Sequence, residues 1–202
     1  MTKLIAPVLA ALLLAACTSE APKAQQKKAK APPELIGAQS AFFRILGPAR
    51  TWAQDLQVLR MEPVALPEMK EKDGKWPAWR VQLVSASRGR MKTYSYSVLE
   101  AEGIHEGVYG SNEESFAGPR GQTIPFLFQA FKTDSPAALE TALKKGADYI
   151  KKHPDMPVTM VLEKAKTDGN PNWRVIWGTS VAASNFSIYI DATNGEYMKT
   201  MH

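Results

Sequence analysis

The pentapeptide Pro-x-Trp-Arg-Val occurs twice in this chain, at 77–81 and at 171–175. Around it, residues 63–81 match residues 157–175 at a constant spacing of 94 without a gap. The nineteen positions hold eight identities: Pro63/Pro157, Val64/Val158, Lys70/Lys164, Lys72/Lys166, Pro77/Pro171, Trp79/Trp173, Arg80/Arg174 and Val81/Val175. A self-match of this length reads as one supersecondary unit used twice. The chain is therefore expected to be α+β: two repeated units, each a helix packed on a small antiparallel β-sheet, after a disordered N-terminal tether.

The residues around each copy supply the elements. Over 48–60, Ala49, Trp52, Ala53, Leu56 and Leu59 share one helical face, with Pro48 at the first helical position, where its missing N–H would be unpaired in any case. Before the second copy, Ser135 is the expected N-cap and Pro136 follows it. Leu139, Ala142, Leu143, Gly146, Tyr149 and Ile150 then form the apolar stripe, and Pro154 and Pro157 stop the helix. Lys144, Lys145, Lys151 and Lys152 lie mostly on the other face. Strand patterns come next: 158–166, then Trp173, Val175 and Trp177 alternating with Arg174, Ile176 and Gly178, then Phe186, Ile188 and Ile190 alternating with Ser187, Tyr189 and Asp191. Asp168-Gly169 and Asn194-Gly195 make the turns. In the first copy, 79–86 and 92–101 take the corresponding places, with Glu102-Gly103 standing for Asn194-Gly195 at a spacing of 92.

Trp79 and Trp173 are equivalent in the repeat and are expected in the core. Trp52 falls on the first helical stripe. Trp76 has no counterpart, since Asn170 stands at its place, and it precedes a proline in a turn, so it is the candidate exposed aromatic. Arg80 and Arg174 are twin polar residues on the outer face of a sheet, there either to pair with acids or to form part of a recognition surface. Trp76, Arg80 and Arg174 are thus the binding candidates. Residues 110–125, with Gly110, Gly118, Pro119 and Gly121, read as a link between a first unit over 35–109 and a second over 126–202, or as a binding loop.

The start of the chain is an address. Met1-Thr2-Lys3 is followed by an apolar and small-residue run over 4–16. As a helix that run is about 20 Å long, short of the roughly 30 Å hydrocarbon core, so 1–16 reads as a signal peptide. The run ends Leu14-Ala15-Ala16-Cys17, which resembles the lipobox of bacterial lipoproteins. The resemblance implies a diacylglyceryl group on the Cys17 sulfur, cleavage after Ala16 and an acylated new N-terminus. Cys17 is the one cysteine in 202 residues, so no internal disulfide forms. Thr18 follows it where an aspartate would mark inner-membrane retention, and the same resemblance therefore implies the outer membrane, facing the periplasm. Residues 17–34 form the lipidated tether. They have no apolar periodicity, are rich in Ala, Lys, Gln and Pro, and span roughly 20–25 Å r.m.s. as a flexible chain.

The net charge of +5 belongs partly to this region, which holds Lys3, Lys23, Lys27, Lys28 and Lys30 against Glu20 and Glu34. The rest of the chain is close to balanced, which gives no reason to expect nucleic-acid binding. The expected partners are a membrane, through the lipid anchor, and an envelope protein or peptidase.

Ile188-Tyr-Ile-Asp-Ala-Thr-Asn-Gly195 resembles the closing strand and turn of PepSY-like domains, and the resemblance extends over roughly 135–197. The first copy joins it only through the repeat, because Leu99-Glu-Ala-Glu-Gly103 is a degenerate form of the motif. What the resemblance implies is an extracytoplasmic module, associated with proteases or found in lipoproteins, that inhibits peptidases or binds. It brings no catalytic residue. Asp191 and Gly195 have structural readings, as a backbone acceptor across the turn and a positive-φ position.

Catalytic patterns are not found. His105, His153 and His202 are scattered, without a His-Glu-x-x-His spacing; there is no Gly-x-Ser-x-Gly elbow. His153 is expected as a helix C-terminal group, and Glu113-Glu114 in a solvated loop. The chain is expected to be no enzyme and to carry no cofactor and no metal.

Overall fold

The structure, a computed structural model, describes residues 32–119 and 121–202. The signal peptide, Cys17 and nearly all of the tether lie outside the described residues.

Helix α1 (Ala38–Trp52) buries Ala38, Ala41, Phe42, Ile45, Leu46 and Ala49, the i, i+3, i+4 spacing of one helical face. The helix expected over 48–60 is thereby corrected. Pro48 lies inside the last turn of α1, and Leu56 begins strand β1 (Leu56–Val64). Three strands follow, β2 (Ala78–Ser85), β3 (Arg90–Ser97) and β4 (Gly107–Ser115). After a short 3-10 turn at Phe128–Ala130 come α2 (Ser135–Lys145), α3 (Ala147–Lys152), β5 (Val158–Glu163), β6 (Asn172–Trp177), β7 (Phe186–Asp191) and β8 (Tyr197–Met201).

All eight strands belong to one antiparallel sheet, in the order β4-β3-β2-β1-β5-β6-β7-β8. This overturns the expectation of two repeated units on separate small sheets. β1 and β5 pair with each other, Arg60 opposite Glu163 and Met61 opposite Leu162. A four-stranded half on its own would leave one of these strands as an open edge. The halves also share one core. A single buried cluster takes in α1, α2 and both sets of strands, and the Trp79 and Trp173 rings meet edge to face at 6.1 Å. Among the described residues the eight strands hold 57 residues and the three α-helices 32, so the fold is mainly β with one helical layer.

The spacing of 94 does not run through the first hairpin. Trp79 faces Pro63 across β1 and β2, whereas Trp173 faces Leu162 across β5 and β6. Pro157, the sequence counterpart of Pro63, precedes β5. On the other side the spacing stays at 94 rather than 92, with Tyr96 opposite Trp79 and Ile190 opposite Trp173. The expected link is largely paired backbone. β4 occupies 107–115, Phe126 exchanges hydrogen bonds with Val58, and Ile124 N–H donates to Lys164 O. That segment fills the place beside the start of β1 which β5 is too short to cover.

The two long helices begin at one knot. Asp134, not Ser135, caps α2: its carboxylate accepts the Ser135 N–H at 2.7 Å and also the Gln39 N–H of α1 at 2.8 Å. Ser135 Oγ accepts the Ala38 N–H at 3.0 Å and donates to Gly74 O at 2.7 Å. Free N–H groups at helix starts need acceptors, and two neighbouring side chains here serve both helices. The second helix is interrupted at Gly146, whose φ of -93° and ψ of 8° leave helical values, so α2 and α3 replace one continuous helix; a side chain there would also press on Ile188 and Phe186.

Both helices cover the face of the sheet that carries Trp79, Val81, Tyr94, Trp173, Val175 and Ile188. Each central tryptophan donates its indole N–H to a carbonyl just before a helix, Trp79 to Ile36 and Trp173 to Thr133, both at 2.8 Å. Trp76 is not exposed: it is 2% accessible and packs edge-on against Trp79 at 5.2 Å, because its backbone pairs with Ile36 and folds the preceding loop inward. Trp52, by contrast, is only half-buried. It donates to Glu113 on β4 at 2.9 Å, and the Arg88 guanidinium lies over its ring. Glu113-Glu114 is therefore strand rather than loop, and the two carboxylates point to opposite faces.

Asp55, between α1 and β1, receives the Ser85 hydroxyl at 2.5 Å and the Ser87 N–H at 2.8 Å. These bonds hold its carboxyl at about 2, against an ordinary 3.8. A carboxyl whose pKa is lower in the folded chain contributes stability above its unfolded value and loses it as pH falls towards the folded one. Urea unfolding is expected to show the native chain more stable than Asp55→Asn at pH 7, with the gap closing between about pH 4 and pH 2. A gap that does not change with pH would show that these bonds do not favour the charged form.

Candidate functional site

The face of the sheet away from the helices sets charged side chains such as Arg60, Glu62 and Glu163 among buried Val84, Val161 and Ile176, and a β-bulge arranges its centre. The β1–β2 register shifts between Val58 and Arg60, so Leu59 is an extra residue. Leu56 and Val58 point to the helices before it, and Met61 does so after it. The bulge thus turns Arg60 and Glu62 onto the open face; without it both would be driven into the core.

Arg60 is fixed there by two carboxylates. Its Nε donates to Glu62 at 3.0 Å and its Nη1 to Glu163 at 3.1 Å, and the Thr123 hydroxyl reaches the same Glu163 oxygen at 3.4 Å. A cleft of about 360 Å³ opens beside it, lined by Leu59, Arg60, Gln82, Met91, Glu114 and Thr123. A second hollow, about 260 Å³, adjoins Arg60 on its other side and is edged by Glu62, Thr159, Ile176 and Thr179. The guanidinium is held rigid while the carboxylates balance its charge. The chemistry offered is that of fixed hydrogen-bond donors and acceptors on a half-buried floor, suited to holding a polar group.

The expected pair Arg80 and Arg174 lies on this same face. Arg80 is opposite Glu62 and Ser95, and Arg174 is opposite Val161 and Tyr189. Three strand spacings separate them, roughly 14–15 Å. Arg80 is exposed; Arg174 donates to Ser187 Oγ at 3.1 Å and lies over the Tyr189 ring at 5.6 Å. Lys199 reaches the same ring at 4.7 Å. Burial pushes the Tyr189 hydroxyl above its ordinary value, and the Arg174 charge opposes the shift. Trp76, the third sequence candidate, is in the core and takes no part. Arg60 and Glu163 were not singled out by sequence; the break from two-residue to three-residue spacing at Leu56, Val58 and Met61 is the signal that marks the bulge.

The histidines stand apart. His105 bonds Glu100 at 2.8 Å on the surface, His153 ends α3 with its ring 4.4 Å from that of Tyr149 and tilted to it, and His202 lies 5.2 Å from the Phe186 ring. Among the described residues no three of His, Cys, Asp and Glu stand close enough to hold a metal ion. The Asp191–Gly195 turn is structural. Asp191 accepts the Thr193 N–H at 2.7 Å and Asn170 Nδ2 at 2.8 Å, and Gly195 has φ of 78°.

No protein-family model matches the chain, and no curated protein sequence matches it. Among solved structures, that of a "putative lipoprotein" from Clostridium difficile aligns over 80% of this chain and 91% of that one, with 11% identity and a TM-score of 0.47. Among the described residues no helix is long and apolar enough to cross a membrane.

Proposed function

We propose that this chain is a lipid-anchored envelope protein with a non-enzymatic, interaction role. The observation that carries the reading is Leu14-Ala15-Ala16-Cys17 at the end of a 13-residue apolar run, with Cys17 the one thiol of the chain. Acylation at Cys17 adds about 0.8 kcal/mol of membrane affinity per buried CH₂, so two or three acyl chains make an anchor that does not let go. Thr18 in place of aspartate supports the outer membrane as its destination, facing the periplasm. The run at 188–195 supports kinship with PepSY-like modules as a strand and turn. The interaction role is supported by the open face, where Arg60 is clamped between two carboxylates beside a cleft. That cleft also favours a second reading, a ligand-binding or peptidase-inhibiting module of the envelope.

The test is Cys17→Ser in a producing bacterium. Metabolic labelling with a fatty acid and membrane fractionation should both be positive for the native chain. The variant should lose the label entirely and leave the membrane fraction. A variant that still takes up label would refute the anchor.

A further inference from the structure

The helical layer is chemically unlike the rest of the domain. α1, α2 and α3 carry Arg44, Arg50, Lys144, Lys145, Lys151 and Lys152 against only Glu140 and Asp148. The remainder of the chain from residue 35 onward carries more acids than bases. All three helices lie on one side of one sheet, so the excess positive charge is gathered on one side of the molecule. That side also exposes apolar groups. Phe43 on α1 is 64% accessible and Leu143 on α2 is 41% accessible, on helices that also carry the cations named above. Leu127, at the start of the turn before α2, is 58% accessible, and the neighbouring Phe128 ring lies under the Arg50 guanidinium. An apolar side chain beside a long cationic one is the pairing that enters a lipid interface, the first below the headgroups and the second among them.

The chain reaches this side first. The described residues begin at Pro32, six positions before α1. The tether from Cys17 to that point is short and itself carries Lys23, Lys27, Lys28 and Lys30. A lipid anchor on such a tether keeps the domain within a few tens of ångström of the bilayer, so even weak surface contacts become intramolecular.

From this we infer that the helical layer is a docking face for anionic phospholipid, the membrane being the one in which the chain's own lipid anchor sits. The domain rests on the bilayer through Phe43 and Leu143 with the surrounding cations, and turns the open sheet face, with Arg60, Arg80 and Arg174, towards the aqueous side. This rests on the lipid-anchor reading above and adds an orientation to it.

The experiment uses the mature chain from residue 17 with Cys17→Ser, so that no acyl chain contributes. A single new thiol is placed either at Phe43→Cys or, on the open face, at Arg80→Cys, and carries an environment-sensitive fluorophore. Vesicles of phosphatidylcholine with phosphatidylglycerol should shift the emission to the blue at position 43 and leave position 80 unchanged. Phosphatidylcholine alone, or high salt, should abolish the shift. Charge reversal of Lys144, Lys145, Lys151 and Lys152 to Glu should weaken binding at least tenfold. Replacement of the four tether lysines by Gln should leave position 43 buried at saturation. A shift at position 80, a shift at neither position, or binding lost only with the tether lysines would overturn the docking face. A shift at position 43 without vesicles, growing with protein concentration, would assign the patch to self-association instead. The vesicle result does not depend on acylation in the cell, so a failure here is separate from a failure of the Cys17 labelling test.

Discussion

Trp173→Ala is expected to lower the unfolding free energy by about 3–5 kcal/mol, read from urea denaturation at neutral pH. The ring is fully buried against Trp79 and Phe131, and its N–H holds the Thr133 carbonyl just before α2. Alanine removes the packing, opens a cavity and frees that carbonyl together. Trp173→Phe separates these effects: it keeps most of the apolar contact and leaves the carbonyl unpaired, for a loss of about 1–3 kcal/mol. The companion Trp79→Ala has the same construction through Ile36. The double variant then decides the architecture. In one core, with the rings 6.1 Å apart, the two losses should fail to add by about 0.5 kcal/mol or more. Two independent small cores would give losses that add within about 0.3–0.5 kcal/mol.

Much of this arrangement is legible in the residues, and the failures have physical causes. Alternation at Trp173, Val175 and Trp177 and at Phe186, Ile188 and Ile190 marks β6 and β7, because side chains on a strand sort by face and the helices cover only one. The repeat locates Trp79 and Trp173 at equivalent central places and sets Arg80 and Arg174 on the open face. What the repeat cannot show is that its two halves close the same sheet. The β1–β5 pairing is a contact between backbones 103 residues apart, as for Arg60 and Glu163, and backbone hydrogen bonds leave no residue signature. Periodicity over 48–60 misleads because Ala49, Trp52 and Ala53 end one helix while Leu56 starts a strand, and a stripe can be read across the junction. Trp76 looks exposed beside a proline turn, yet its burial is decided by pairing with Ile36, a residue 40 positions away. The Arg60 clamp is hidden for a related reason. One extra residue, Leu59, exchanges the faces of everything after it.

The other large effect is expected at Gly74→Ala, which should cost at least about 3 kcal/mol and can leave the chain unfolded at growth temperature. Gly74 has φ of 75°, and a Cβ there would lie 2.7 Å from Pro136 Cα and 2.9 Å from both Pro136 N and Ser135 O. These are backbone atoms of the first turn of α2, which cannot rotate aside as a flexible side chain can. The Gly74 carbonyl also receives the Ser135 hydroxyl that caps α1, so any shift loosens the start of both helices. Gly103→Ala is the control. Its φ is 76°, nearly the same, but nothing lies within 4 Å of its Cβ position. It should therefore lose only the left-handed backbone penalty, about 1–2 kcal/mol. The difference between the two variants measures the close approach of the 65–77 loop to α2. If the two lose the same stability, the loop does not touch the helix, and the shared cap of α1 and α2 has no third support. If Gly74→Ala is the worse by a clear margin, this loop locks the helical layer to the sheet. Phe43 and Leu143 then sit on a rigid platform rather than on independently moving helices, which is what a fixed orientation at a membrane requires.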